Sequence, residues 1–461
     1  MAQSIGFYGA AETVTGSRHL ISIDNKKVLV DCGMFQGSRE LRDRNWEELP
    51  VPPSNLDAVI ITHAHLDHIG WIPRLVAEGY EGPIYATKAT IELCKISLPD
   101  SGRLQEEDAH FSNKHGTGNH HSTVPLYTEK DAYQCLKWFK HVEYNHWHEL
   151  PGRAQFRFHT AGHILGSAFA EIVFQDGTNL LMSGDLGRYN TPIIKDPTAI
   201  EFADYLVIES TYGDRLHSHE DPLQKIASII HDTMESGGAL IIPSFAIGRT
   251  QELLYYFRVL QDQGRIPRIP IYIDSPMAVS VTHVYEAAKE ELDEEMVKSV
   301  EAGRSELEPE GINFVRDRET SKALNSQRGP IVIVSGSGMA NGGRVTHHLL
   351  HRLPNPNTIV LFTGYQAEGT LGRRLIEGAK EVHLHGEVVD VRARIEKVNA
   401  LSAHADQGEI LKWLGNFKKP PKDTFIVHGE PVAQEALQSK IVKDFGWKTT
   451  IPKQADEFDL A

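Results

Sequence analysis

Three histidines and one aspartate follow one another closely in the stretch 62–70, which reads THAHLDHIG. His63 and His65 are two positions apart, so in an extended segment both imidazoles point the same way, whereas Asp67 and His68 begin the next turn and face a neighbouring point. Imidazole and carboxylate ligands without thiolate favour zinc, and manganese can replace it. Four such ligands from one short loop suit a pair of metal ions; a solvated polar loop is the alternative.

The elements that must position these ligands are short apolar runs with an ionisable residue at their carboxyl ends. β-branched runs bounded by turn residues are typical of buried strands. Because ligands of layered α/β proteins sit outside the carboxyl ends of strands, such terminal residues can converge on one site. The runs and their terminal residues are 28–30 with Asp31, 58–61 with His63, 180–182 with Asp185, 206–208 with Glu209 and 425–427 with His428.

The pattern H-x-H-x-D-H at 63–68 resembles the signature of the metallo-β-lactamase superfamily. Three further stretches are similar to the rest of that family's pattern: VDCGMFQG with Asp31, AGHILGSA with His163 and SGDLGR with Asp185. By resemblance, Asp31 orients the ligand loop, as metal-bound histidines generally require. The ligand sets that the resemblance implies are His63, His65 and His163 for one zinc ion, Asp67 and His68 for a second, and Asp185 as the bridge.

Three later motifs resemble those of one branch of that superfamily, the β-CASP nucleases. Glu209 in IESTYG, His404 in LSAHAD and His428 in VHGE are similar to motifs A, B and C of the branch. The resemblance implies that His428 completes the second zinc site and that Glu209 supports the ligand shell. It also implies that His404 stabilises the scissile phosphate or protonates the departing oxygen, and that Asp67 accepts a proton from the attacking water.

The same resemblance implies an α/β fold, a metallo-β-lactamase αββα sandwich interrupted by an inserted β-CASP α/β domain. We expect the first part of the metallo-β-lactamase domain at 1–213, the insert at 214–378 and the returning part at 379–461. Inside the insert, apolar runs such as 239–242 and 331–334 alternate with helix-like stretches. That alternation predicts a parallel sheet.

Contacts to the substrate are expected mainly in the insert. The turn Gly336-Ser337-Gly338 follows an apolar run, so its backbone N–H groups and the nearby Arg344 could cradle a backbone phosphate; an ordinary tight turn is the alternative. A dinucleotide fingerprint is weak because Asn341 stands at the third glycine position. The substrate-binding residues expected from the resemblance are Arg249, Ser335, Ser337, Gly338, Arg344, Ser402 and His404.

Composition argues against several other classes of protein. The three cysteines of the 461 residues form no C-x-x-C pair, so neither a disulfide framework nor a thiolate zinc site is expected. The formal net charge of −15 argues against broad electrostatic capture of nucleic acid, so contacts to RNA should be local. Without a signal peptide or an apolar run of about 18 residues, we expect a cytoplasmic protein that does not enter the membrane.

The expected function is hydrolysis of phosphodiester bonds in single-stranded RNA by a ribonuclease with two zinc ions, cutting internally in RNA processing or decay. One alternative is a 5′-to-3′ exoribonuclease similar to ribonuclease J, although that branch usually carries an extra C-terminal domain and this chain ends soon after His428. A small-molecule metallo-hydrolase is another. The complete set of ligand positions argues against a binding protein that has lost its catalytic site. A homodimer is possible.

Histidines outside these motifs are assigned no chemistry. The stretch 98–148 holds seven of them, and a solvated lid or surface arm is expected there instead of a metal site. Three more stand at helical spacing at 347, 348 and 351. The seven are His110, His115, His120, His121, His141, His146 and His148.

Overall fold

The computed structural model describes residues 3–115, 123–218, 220–303, 305–367, 369–398 and 401–460. The chain divides into two compact units. The first consists of Met1–Thr191, Lys195–Leu216 and His404–Ala461, and the second of Pro192–Ile194 and His217–Ala403. The second unit is therefore an insert in the first.

Strands and helices alternate through most of the chain. The strands are β1 (Gln3–Phe7), β2 (His19–Ile23), β3 (Lys26–Val30), β4 (Ala58–Ile60), β5 (Ile84–Ala86), β6 (Phe139–His141), β7 (His148–Leu150), β8 (Ala154–Thr160), β9 (Ala168–Val173), β10 (Asn179–Met182), β11 (Tyr205–Glu209), β12 (Ala239–Pro243), β13 (Ile271–Asp274), β14 (Ile312–Phe314), β15 (Ile331–Ser335), β16 (Ile359–Phe362), β17 (Glu381–Leu384), β18 (Glu387–Asp390), β19 (Arg394–Lys397), β20 (Asp423–Val427), β21 (Thr449–Thr450) and β22 (Glu457–Asp459). The α-helices are α1 (Arg39–Asp43), α2 (Leu66–Ile69), α3 (Ile72–Ala77), α4 (Lys88–His115), α5 (Glu129–Cys135), α6 (Pro222–Ser236), α7 (Arg249–Asp262), α8 (Pro276–Ala287), α9 (Glu294–Glu301), α10 (Arg318–Leu324), α11 (Arg344–Arg352), α12 (Leu371–Ile376), α13 (Gln407–Leu414) and α14 (Pro431–Phe445).

The first unit is built on two sheets, with strand orders β22-β1-β2-β3-β4-β5-β6 and β21-β20-β11-β10-β9-β8-β7. Side chains alternate across a strand, so one strand can supply two cores. In β10, Leu180 and Met182 join the core between the sheets, whereas Leu181 joins a second core with Trp413 of α13 and Leu437 of α14. This is the helix-covered sandwich that the motifs predicted.

The carboxyl ends of neighbouring parallel strands lie at one edge of each sheet. In the first sheet β3 is parallel to β4, and in the second β10 and β20 are both parallel to β11. The chain leaves these strands at Asp31, His63, Asp185, Glu209 and His428. The order of strands thus brings together residues that are far apart in the sequence.

The second unit contains a parallel sheet in the order β14-β13-β15-β12-β16-β19 and the β17-β18 hairpin. Its central strands β12, β15 and β16 are almost entirely buried apolar runs, as strands covered on both faces require. The sequence defines both ends of helix α6. Asp221 caps its first turn, Pro222 is its first residue, and Gly237 with φ 61° ends the helix. The parallel sheet confirms the prediction for the insert.

The second unit extends to Ala403, beyond the end expected at 378. Strand β19 adds to the edge of its sheet by pairing with β16, and the β17-β18 hairpin packs Val382, Leu384 and Val389 into its core. The sequence pattern alone does not specify which of two cores a strand joins, and the boundary expected at 378 stays a prediction.

The histidine-rich stretch is divided among several elements of the first unit. His110 lies on α4, His141 ends β6 and His148 begins β7, while His120 and His121 lie outside the described residues. His110, His141 and His146 are exposed, as expected for solvated positions. Along the part of the chain with a described structure, no helix combines the length and apolar character that a membrane crossing requires.

Candidate metal centre

One group of potential ligands is formed by His63, His65, His163 and Asp185. Nδ1 of His65 lies 3.2 Å from Nε2 of His63 and 3.2 Å from Nε2 of His163. Oδ2 of Asp185 lies 3.3 Å from Nε2 of His63 and 3.4 Å from Nε2 of His163. The edge of a tetrahedron around zinc is about 3.3 Å for bonds of 2.0–2.1 Å. The four atoms are therefore spaced as ligands of one ion.

A second group is formed by Asp67, His68 and His428. Nε2 of His428 lies 3.2 Å from Nε2 of His68 and 3.3 Å from Oδ2 of Asp67. Oδ1 of Asp185 completes the group, at 3.2 Å from Nε2 of His68. The two oxygens of Asp185 thus face different groups, which is the arrangement of a bridging carboxylate.

The chemistry of these side chains fits divalent cations. Burial lowers the pKa of His65 to about 3 and also lowers the pKa of His63 and of His163, so these imidazoles are neutral and offer lone pairs. Oδ1 of Asp185 is buried and has no hydrogen-bond partner among the described residues. A buried carboxylate oxygen without a donor is costly unless a cation compensates it.

Asp31 holds one ligand of the second group in place. Its Oδ2 lies 2.7 Å from Nδ1 of His68, and its Oδ1 accepts a hydrogen bond of 2.8 Å from the backbone N–H of Thr62. This contact directs Nε2 of His68 toward the metal position. The backbone of Asp31 has φ 58°, a left-handed conformation uncommon outside glycine and typical of functional sites.

Glu209 connects the ligand groups to His404. One oxygen accepts a 2.7 Å hydrogen bond from the N–H of Leu186 and lies 3.0 Å from Nδ1 of His404; the other accepts from the N–H of Thr211. Burial alone would lower the pKa of His404, but the charges of Glu209 and Asp185 outweigh it and raise that pKa to about 9. Nδ1 of His404 is 3.8 Å from Oδ2 of Asp185, so this histidine borders both ligand groups.

Several supporting groups were not anticipated from the sequence. Oγ1 of Thr211 lies 3.1 Å from Nδ1 of His428. The backbone N–H of His428 donates to the carbonyl of Ala10 at 2.8 Å. Oγ1 of Thr62 lies 3.1 Å from Nδ1 of His63. The two threonines stand beside recognised motif residues, so their supporting role could have been predicted from the sequence. The role of Ala10 could not, because only its backbone carbonyl takes part.

A glycine makes the Asp67 loop possible. A Cβ on Gly33 would lie 1.6 Å from the carbonyl oxygen of Asp67. That carbonyl also accepts a 2.8 Å hydrogen bond from the N–H of Ser17. The backbone at Ser17 and Gly33 is thus packed directly against the ligand loop, and the approach at Gly33 is one that only glycine permits.

The insert residues that were expected to contact substrate are largely engaged within the second unit. Arg249 is buried and paired with Glu252. Oγ of Ser335 donates to the carbonyl of Asp274 at 2.9 Å, and Oγ of Ser337 accepts from the N–H of Asn341 at 3.2 Å. Their contact with RNA stays a prediction.

Arg344, Gly338 and Ser402 also have defined surroundings. The Arg344 guanidinium donates to Oδ1 of Asp274 at 2.6 Å and to the carbonyls of Val315 and Arg316 at 3.3 and 2.7 Å. It therefore anchors the start of α11 to these groups, and its contact with a phosphate stays a prediction. Gly338 packs beneath the ring of Phe245, and Ser402 is buried.

Comparison with known proteins defines the family. The model of the metallo-beta-lactamase superfamily matches residues 16–222, that of the Beta-Casp domain matches 250–375, and that of the Zn-dependent metallo-hydrolase RNA specificity domain matches 388–452. A crystal structure of a protein of unknown function from Enterococcus faecalis superposes with a TM-score of 0.58 at 12% identity over 100% of both chains, a likeness of fold alone.

Two named relatives align along most of the chain. Ribonuclease TTHA0252 of Thermus thermophilus is 40% identical over 425 residues, which cover 92% of this chain and 92% of the relative. Transcription termination factor FttA of Methanocaldococcus jannaschii is 31% identical over 465 residues, which cover 98% of this chain and 71% of the relative. The chain belongs to the β-CASP ribonuclease branch of the metallo-β-lactamase superfamily, as its motifs predicted. It is a hydrolase with the metal-binding fold of that family.

Proposed function

We propose that the protein is a zinc-dependent ribonuclease that hydrolyses phosphodiester bonds of single-stranded RNA, most readily at internal positions. The main observation in support is the position of Asp185, whose two oxygens face two groups of imidazole and carboxylate side chains. Such a donor set suits two zinc ions, with manganese as the substitute.

Metal ions held by these residues would activate a water molecule, hold the scissile phosphate and stabilise the extra charge of an in-line displacement. The protein's own groups supply the proton transfers. Asp67, whose side chain is 20% exposed, accepts the proton of the attacking water. Glu209 binds Nδ1 of His404 and so directs Nε2 of His404 toward the departing oxygen. His404 then donates a proton or a hydrogen bond to that oxygen.

RNA as the substrate is supported by the relatives, and bound cations could offset the protein's negative charge at the site. The RNA specificity domain model matches 388–452, and the relative with 40% identity is named a ribonuclease. The formal net charge of −15 repels nucleic acid at long range. Two divalent cations at the ligand groups would supply positive charge where the phosphate must sit.

Circular single-stranded RNA tests the proposal against its main alternative. Internal cleavage converts the circle into linear products, whereas a 5′-to-3′ exonuclease leaves it intact and degrades only linear RNA. The zinc-loaded protein should open the circle, and Asp67→Ala should not. Failure on both RNAs, together with hydrolysis of small esters, would favour the small-molecule hydrolase.

A further inference from the structure

Two backbone segments of the first unit lie side by side at the candidate centre. One runs from Leu186 to Tyr189, directly after the bridging carboxylate, and the other begins at His404. Gly187 and His404 form an antiparallel β-bridge, and the N–H of Ala405 donates to the carbonyl of Leu186 at 2.8 Å. The position of His404 relative to the metal ligands therefore depends on how firmly these segments hold together.

The segment after Asp185 is itself fixed on its other side. The N–H of Gly187 donates to the carbonyl of Ala161 at 2.9 Å, and a Cβ on Gly187 would lie 1.8 Å from the carbonyl oxygen of Gly162. Gly162 directly precedes His163, a ligand of the first group. This segment is thus a rigid reference, close to two metal ligands, against which His404 is placed.

Glu409 contacts both segments. One of its oxygens accepts from the N–H of Asp406 at 3.0 Å and lies 3.4 Å from Nε of Arg188; the other accepts from the N–H of Tyr189 at 3.4 Å. Its contact with Asp406 forms half of the capping box that begins α13. A cap requires only that contact, so the ion pair with Arg188 and the hydrogen bond from Tyr189 are additional and reach across to the segment after Asp185.

We infer that Glu409 is a positioning residue for His404. It clamps the first turn of α13, and with it the histidine three residues before the helix, to the segment that directly follows the bridging carboxylate. Catalysis depends on placement because a displacement of about 1 Å can cost roughly 100-fold in rate. The inference rests on the proposed function for its effect on catalysis, but the clamp itself is a structural property that can be measured separately.

The clamp is tested first by hydrogen exchange, which requires no substrate. In Glu409→Ala, peptides covering 186–189 and 404–406 should exchange faster than in the wild type. Asp131→Ala is the matched control, because Asp131 completes the capping box of α5 in the same unit and does not contact the ligand groups. Unchanged exchange in Glu409→Ala, or equal acceleration at these peptides in Asp131→Ala, would overturn the inference.

The catalytic effect is tested by a double-mutant cycle in single-turnover cleavage of RNA. Glu409→Ala should lower kcat by about 10- to 100-fold while zinc content and KM stay within twofold. Combined with His404→Ala, it should cause no further loss, because it acts through that histidine. Additive losses would assign Glu409 a general structural role and contradict the inference.

Glu409→Gln is a second test variant in case Glu409→Ala does not fold correctly. The amide retains a carbonyl oxygen that accepts one N–H, so its rate should lie between those of the wild type and the alanine variant. A glutamine variant as slow as Glu409→Ala would contradict the clamp geometry. If the wild type cleaved no RNA, the proposed function would fail, while the exchange measurement would still decide whether the clamp exists.

Discussion

Asp185 presents its oxygens to different partners, Oδ2 to His63 and His163 and Oδ1 to His68. The first ligand group draws its remaining members from β4 and β8 loops, whereas the second depends on His428, which comes from the end of the chain. Because the groups share only Asp185, the loss of a ligand from one should leave the other largely intact.

We expect His428→Ala to lower zinc content from two ions to about one per chain, because the second group retains only two ligands of its own. Hydrolysis should fall with the metal. Elemental analysis of purified protein measures this, with the exposed histidine of α4, His110→Ala, as the control that keeps both ions. Two full equivalents of zinc in His428→Ala would contradict the ligand assignment.

His404 should behave differently, because it belongs to neither ligand group and borders them at Asp185 and Glu209. His404→Ala should keep both metal ions and bind RNA nearly as well as the wild type, yet lose about 10²- to 10⁴-fold in kcat, the usual contribution of a positioned acid.

A phosphodiester with a nitrophenyl leaving group identifies the role of His404, since that leaving group departs without a proton. Partial recovery of His404→Ala on this ester indicates proton donation. Equal damage on ester and RNA would indicate that the histidine positions the phosphate, and loss of zinc in the variant would refute the division of roles.

At the scale of elements, a buried polar network joins β8, β9 and β10. Glu171 of β9 lies 2.6 Å from Nε2 of His159 and accepts hydrogen bonds from Arg157 at 2.6 Å and Asn179 at 2.7 Å. Burial opposes the charged carboxylate, but these hydrogen bonds outweigh it and lower the pKa of Glu171 from 4.5 to about 2. The network ties together the strands that lead to two ligand loops.

This pKa predicts a loss of stability in acid. A lowered folded-state pKa adds stability that is complete above the unfolded value of 4.5 and is lost as the pH falls toward about 2. Between pH 7 and pH 3, metal-free Glu171→Gln should therefore lose less unfolding free energy than the wild type, by on the order of 2 kcal/mol. Urea titrations at both values measure it. Glu149→Gln, on the exposed side of β7, should retain the wild-type acid sensitivity; equal losses in all three proteins would contradict the assignment.

The loop between β15 and α11 depends on Arg344 for its anchor in the second unit. Arg344→Ala removes a charged hydrogen bond to the fully buried Asp274 and two to backbone carbonyls, so we expect the free energy of unfolding to fall by about 2 kcal/mol. Arg392→Ala, which breaks an exposed pair with Asp390, should change it by less than about 0.5 kcal/mol. Urea denaturation compares the two, and equal effects would show that the anchor contributes little.

At the scale of the whole molecule, the two units have separate cores. The cores of the first unit combine both sheets with α13 and α14, and the core of the second combines its parallel sheet with α11, α12 and the β17-β18 hairpin. The residues of the two ligand groups described above, His63, His65, His163 and Asp185 and Asp67, His68 and His428, all belong to the first unit.

Metal should therefore stabilise one unit selectively. In calorimetry of the whole chain we expect two transitions, of which only the one from the first unit moves down when zinc is removed by chelation. Ligand binding stabilises the state that binds it, by about 2.7 kcal/mol at a concentration of 100 Kd. Equal shifts of both transitions, or no shift, would contradict the separation.

The sequence by itself determined the family, the fold class and the candidate ligand set. His63, His65, Asp67 and His68 are readable because they stand within one loop, and Asp185 and His428 because each follows a buried apolar run. Such patterns are local: a strand's alternation and the residue at its end depend on neighbours in sequence. The structure brings these side chains into two groups, and their roles as metal ligands stay a prediction.

Only the tertiary structure decided what depends on distant partners. It engaged Arg344 with Asp274, extended the second unit to Ala403, and brought the carbonyl of Ala10 to His428 and Glu409 to Tyr189. None of these follows from a motif, because a hydrogen bond or a strand pairing between residues far apart in the chain is specified by the packing of whole elements. The physical reason is that a side chain's role depends on which groups the fold places within about 3 Å of it.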